Sequence, residues 1–144
     1  MISTRQKISV RISHINNRCR PKRKRCHRRP KRHFTKVMTI RECVPIEQRC
    51  GNMTFIPAFE TLKSHRIIKA PAGSFTITNT SDHCTMNVKI DTFKERCNTV
   101  QIPAGSSFTA VVSDLRNIEI ACFGNSNNIC TGTINFDLVY VIKL

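Results

Sequence analysis

Tryptophan is absent from the 144 residues and tyrosine occurs once. The basic stretch near the start holds a single aromatic, Phe34, which argues against single-strand recognition by base stacking. No apolar run approaches the roughly 20 residues a membrane helix needs; the longest early candidate, Ile8 to Ile15, is broken by Ser9, Arg11, Ser13 and His14. Neither a membrane span nor a secretory signal peptide is expected. Also missing are Gly-x-Ser-x-Gly, a P-loop, a dinucleotide glycine motif and His-Glu-x-x-His. Of the five histidines, His14, His27 and His33 lie where no core would hold them, and His65 and His83 lie in expected loops. No catalytic residue emerges, and the chain reads as a non-enzyme. Acidic residues are missing from positions 1 to 41, which hold 15 of the 24 Lys and Arg, whereas the remaining 9 share positions 42 to 144 with all 9 acids. The net charge of +15 therefore describes an arm, and a formally neutral body repels its own copies weakly.

What is present is alternation. From Thr99 to Leu144 apolar residues fall at every second position: Phe108, Ala110, Val112; Ile118, Ile120, Cys122; Ile134, Phe136, Leu138, Tyr140, Ile142. Period two predicts strands with one apolar face each, and that face must close on a second sheet. Strands are expected at Met53 to Ile56, Arg66 to Ala70, Ser74 to Thr80, Thr85 to Thr92, Thr99 to Ile102, Phe108 to Ser113, Asn117 to Cys122 and Thr131 to Lys143. Eight strands without helical periodicity predict an all-β, single jelly-roll-like antiparallel sandwich. Two Pro-Ala-Gly segments, at Pro71 and Pro103, each precede a Phe-containing strand and read as turns. Ile8, Val10 and Ile12 allow a short strand within residues 1 to 17. Cys43 to Asn52 reads as a loop. The division expected is a flexible basic arm over 1–41 and a sandwich over 42–144, with Pro21 and Pro30 forbidding a continuous helix in the arm.

Eight cysteines remain to be placed. Cys19-x6-Cys26-His27-x5-His33 has ligand types suited to zinc, but its first spacing is wider than a zinc knuckle uses and its surroundings are cationic, so neither metal nor cofactor is expected. In the body the cysteines fall as Cys43/Cys50, Cys84/Cys97 and Cys122/Cys130, each at or beside a strand end. Cys84 and Cys97 are candidates for a bond within the domain, and Cys122 with Cys130 could close the Gly124 to Asn128 loop across a hairpin. Spacing alone does not give connectivity. Cys19 and Cys26 have no core to enter and are better placed to bond another chain, while the edge strands of a sandwich can pair side by side. Lys22, Arg23, Lys24, Arg25, Arg28, Arg29, Lys31 and Arg32 would neutralise phosphates without reading sequence. A jelly roll carrying such an arm therefore has an alternative reading, a coat protein that packages RNA or DNA.

The run Thr99-Val-Gln-Ile-Pro-Ala-Gly-Ser-Ser-Phe-Thr, then Val112-Ser-Asp-Leu-Arg-Asn-Ile-Glu-Ile-Ala-Cys122, then Cys130-Thr-Gly-Thr and a last alternating strand resembles the subunits of bacterial endospore appendages. The resemblance covers about residues 43 to 144. It implies a jelly-roll subunit that polymerises with itself, and with related appendage or coat subunits, by strand augmentation. It also implies an N-terminal connector whose thiols bond other subunits, at the spore surface. On that pattern Cys19 and Cys26, or Cys43 and Cys50, are the connector thiols, and Cys122 and Cys130 their acceptors. Two features depart from the pattern: the connector there has adjacent cysteines, and the long basic arm is foreign to it.

Overall fold

Where apolar residues alternate, the chain runs as a strand with that parity turned inward. Met86, Val88 and Ile90 are buried between half-buried Asn87 and Lys89, and in the last strand Cys130, Ile134, Phe136 and Leu138 are buried between more exposed neighbours. The computed structural model of the protein describes residues 6–9, 34–51, 54–61, 66–95 and 98–144. Its strands are β1 (Gln6–Ser9), β2 (Thr35–Arg49), β3 (Ile56–Glu60), β4 (Ile67–Asn79), β5 (Thr85–Thr92), β6 (Asn98–Ile102), β7 (Ser107–Val112), β8 (Leu115–Phe123) and β9 (Ile129–Lys143). No helix occurs among the described residues.

Strands β2 to β9 form two antiparallel sheets, ordered β2-β9-β4-β7 and β3-β8-β5-β6, with β1 added beside β2 in the first. Of the eight, only β5 and β6 are both consecutive in sequence and paired; every other connection crosses between layers, which is jelly-roll topology. The interlayer is filled by Phe75 and Ile77 from β4, Met86 and Val88 from β5, Ile102 from β6, Ile118 and Ile120 from β8, and Ile134 and Leu138 from β9.

Eight strands were expected and the sandwich has eight, but two expectations offset each other. Cys43 to Arg49 is not a loop. It continues β2, because Val44, Ile46 and Gln48 face inward and the register with β9 holds from Thr35↔Lys143 to Arg49↔Ile129. Pro45 lies where β2 has no second neighbour, since β1 covers only Thr35 to Met38, and outer strands tolerate proline. The line drawn between arm and body at 41/42 thus falls inside β2. Conversely, the two strands expected at Arg66 to Ala70 and Ser74 to Thr80 are one, β4. Pro71-Ala-Gly73 does not turn the chain; it is absorbed as a slip in register against β9 between Lys69 and Ala72. Gly73, at φ 143°, is needed there because a Cβ would overlap the Asp137 carbonyl oxygen. The second segment, Pro103-Ala-Gly105, does turn, with Gly105 at φ 74°. Of the expected early strand, Gln6–Ser9 forms and pairs with β2; Val10 and Ile12 lie outside the described residues.

Among the described residues two polar side chains, Asn79 and Ser81, are buried. Asn79 donates from Nδ2 to the carbonyls of Cys84 (2.8 Å) and Ile102 (2.9 Å), and its Oδ1 accepts from the Ser81 backbone N–H (3.1 Å) and the Ser81 hydroxyl. It ties the end of β4 to the entry of β5 and the end of β6. Asn79→Ala would remove a donor from the buried carbonyls of Ile102 and Cys84, the latter keeping the Ser81 hydroxyl (3.1 Å), and would take the acceptor from the Ser81 amide. It is expected to lower the unfolding free energy by about 2 to 4 kcal/mol in denaturant titrations, with secondary structure retained.

Candidate functional site

The chemistry-bearing groups of the body are its sulfurs. Cys50, just past β2, is bonded to Cys84, just before β5, with a Cα–Cα distance of 6.3 Å. Cys122 of β8 is bonded to Cys130 of β9 at 6.2 Å. Each bond joins a strand of one sheet to a strand of the other, so both clasp the two layers at the same end. All four cysteines are at most 2% exposed. The backbone around them is tightly held: Cys50 N–H donates to the Asn128 carbonyl (3.0 Å) and Gly51 N–H to the Cys122 carbonyl (3.2 Å). Gly51 takes φ 82°, and a Cβ on it would crowd the Gly124 carbonyl oxygen at 3.3 Å.

The Cys122–Cys130 bond is one the sequence allowed, whereas the pairing of Cys84 differs from its expectation. Cys84 is bonded to Cys50, not to Cys97, which lies outside the described residues. Cys50, Cys122 and Cys130, read as thiols for bonds between subunits, are each in a bond within the chain and buried. The Cys122–Cys130 bond does not cross a hairpin, because β8 and β9 belong to different sheets. The separation of 34 carries no signal for Cys50–Cys84; that bond follows from the crossing of the chain between layers. Among the described residues Cys43 is the free cysteine, and it is exposed. It lies on β2 opposite Asn135, two residues from Arg41, which pairs with Asp137 at 3.1 Å. Both members of that ion pair are more than half exposed, so it adds little stability. Cys19, Cys26, Lys22, Arg23, Lys24, Arg25, Arg28, Arg29, Lys31 and Arg32 lie outside the described residues.

The sandwich has two unlike flanks. Phe59 of β3 meets Phe136 of β9 at 5.2 Å between ring centroids, and Phe136 meets Phe75 of β4 at 6.3 Å, which seals the interlayer beneath β2 and β3. On the opposite flank a cleft of about 540 Å³ opens between β6 and β7, lined by Ile90, Val100, Phe108, Ala110 and Val112. Edge strands β3, β6 and β7 each have a neighbour on one side only. Val111 on β7 is 84% exposed. The outer face beside β7 carries hydroxyls paired across strands, Thr76 with Thr109 (2.8 Å), Thr78 with Ser107 (3.1 Å) and Thr80 with Thr131 (3.0 Å). Charged side chains border these hydroxyls, with Asp137 opposite Ser74 and Glu47 opposite Thr131.

Jelly-roll topology, two buried disulfides clasping its layers, free sheet edges and an exposed thiol define the class: a disulfide-stapled β-sandwich with open edges. Residues 31–142 match the endospore appendages (Enas), and the chain belongs to that family, whose members are structures of the spore surface. The match begins after most of the basic stretch. A solved Bacillus structure, from work describing endospore appendages as a novel family of disulfide-linked pili, is 16% identical, with 74% of this chain and 88% of that chain covered and a TM-score of 0.48. Among curated proteins none matches.

In the loop-entropy account, a bond spanning 34 residues stabilises by about 4 kcal/mol and one spanning 8 residues by about 2.5 kcal/mol. Cys50→Ala/Cys84→Ala is therefore expected to lose about 1 kcal/mol more than Cys122→Ala/Cys130→Ala in guanidinium unfolding. Equal losses would show that local loop closure does not govern their contribution.

Proposed function

We propose that this chain is a structural subunit of a spore-surface appendage, assembling by β-strand augmentation and fastened by disulfides between subunits. The observation that carries the reading is the pair of unlike, unsatisfied flanks on a member of the appendage family. Pairing one edge with the same edge of a second copy would close a dimer. Pairing the β6/β7 flank of one copy with the β2/β3 flank of the next leaves a free edge at each end, so growth continues into a fibre. The near balance of charge in the body, nine bases against nine acids over residues 42–144, favours such contact.

For the covalent fastening, Cys43 is the body's acceptor of a bond from Cys19 or Cys26 of another copy. Its support is that Cys43 is exposed and free, whereas Cys50, Cys84, Cys122 and Cys130 are already bonded and buried. The bond forms when two thiols lose two electrons and two protons to an oxidant such as a small-molecule disulfide. Edge pairing sets the geometry; the sulfur bond makes detachment a covalent event. Nothing among the described residues favours the polyanion-packaging reading, whose residues lie elsewhere.

Two variants separate the parts. Val111→Lys places a charge on the exposed edge without touching the core and is expected to abolish fibres in electron micrographs while the thermal midpoint stays within a few degrees of wild type. Undiminished fibres would remove β7 from the assembly. Cys43→Ser is expected to leave fibres intact but to convert the high-mass ladder on non-reducing gels into monomer. A ladder that persists would move the bond elsewhere.

A further inference from the structure

The disulfides describe the oxidised chain, but every chain is made with its thiols reduced. In that form four thiols converge at one end of the interlayer. The sulfur atoms of Cys50, Cys84 and Cys130 lie within 4.8 Å of one another, and Cys122 is the bonding partner of Cys130. What brings them together does not depend on the sulfur bonds. Cys50 is held through its N–H on Asn128, and Cys122 through its carbonyl on Gly51. Cys84 is held through its carbonyl, on the Asn79 amide (2.8 Å) and the Ser81 hydroxyl (3.1 Å). Cys130 sits in register opposite Gln48 between two long strands. Reduction therefore leaves the sulfurs of Cys50, Cys84 and Cys130 grouped, with Cys122 beside Cys130.

We propose that the reduced chain binds one zinc ion through Cys50, Cys84, Cys122 and Cys130, and that oxidation of these four cysteines releases it. Zinc takes four thiolates in a tetrahedron with bonds of about 2.3 Å, which sets the sulfurs about 3.8 Å apart. That separation is what two parted disulfides can reach within a cluster of this size. The ligand set is uniform and soft, since the cluster contains no imidazole or carboxylate to favour a harder cation. Burial at 2% exposure or less keeps water from competing for the metal, and the ion neutralises half of the charge that four thiolates would otherwise bury. The ligands come from four separate strand ends and junctions, so no zinc-knuckle spacing betrays them in the sequence.

Conversion to the oxidised chain needs an acceptor of four electrons, and two molecules of a small-molecule disulfide supply it. Each of the two protein sulfur pairs loses two electrons and forms its bond, each small disulfide is cleaved to two thiolates, and zinc leaves as the dication. Charge is conserved at minus two. Until then the metal keeps the four thiols from bonding to Cys43 or to the cysteines of other copies.

The test uses the full-length chain with Cys19→Ser, Cys26→Ser, Cys43→Ser and Cys97→Ser, which leaves only the four core cysteines. It is purified reduced without oxygen and dialysed against zinc, with metal measured by mass spectrometry; cobalt loading reports geometry through its tetrahedral thiolate absorption. The expected result is one zinc per reduced chain, a higher thermal midpoint with zinc than with chelator, and stoichiometric release on adding glutathione disulfide as the four thiols disappear. A control carrying Cys50→Ser, Cys84→Ser, Cys122→Ser and Cys130→Ser in addition gives the background. Zinc content no greater than that background overturns the proposal, as does a reduced chain that stays unfolded when zinc is added.

Discussion

A single interlayer, one side chain deep from each sheet, is the constraint on which the rest of this structure depends. Each strand must send alternate residues into it, and the two sheets must meet along their whole length to keep those residues dry. Hydrocarbon does this through most of the molecule, with Phe75, Ile77, Ile118, Ile134 and Leu138 fully enclosed. At one end sulfur does it instead: two disulfides cross from layer to layer. The same four positions serve as packing and as staples, so they are both buried and chemically distinctive.

Closing the interlayer leaves the sheet edges unsettled. The aromatic contact of Phe59 with Phe136 seals one flank, and the cleft between β6 and β7 leaves the other open. An asymmetric pair of flanks is what a growing fibre requires, because each addition must regenerate the surface that received it. Membership in the endospore appendages gives that asymmetry a context. The separation of charge fits as well: residues 42–144 carry every acid and an equal number of bases, so this part of the chain has little net charge with which to repel a copy.

The layer architecture was legible because burial on one face imposes period two directly on the residues, and β5, β7, β8 and β9 lie within about two residues of where alternation puts them. Strand ends were less legible. Pro71-Ala-Gly73 and Pro103-Ala-Gly105 are the same three residues, yet one passes through a strand and the other turns. The difference is the neighbour: β9 runs alongside Gly73 and holds the chain extended, whereas nothing lies within 4 Å of a Cβ placed on Gly105. Cys43 to Arg49 was read as a loop for the same reason in reverse, since its pairing partner lies about 90 residues away and leaves no local trace.

The amino-acid sequence by itself determined the all-β class, the two-layer packing, the division of charge and the set of residues able to do sulfur chemistry. Each of those is a property of composition or of neighbours along the chain. Only the tertiary structure decided that Cys50 meets Cys84, that this bond and Cys122–Cys130 lie at one end, and that Cys43 is left on the surface. The physical reason is that a jelly roll crosses between its layers at nearly every connection. Residues adjacent in space are then set by strand order, and strand order is a property of the whole fold.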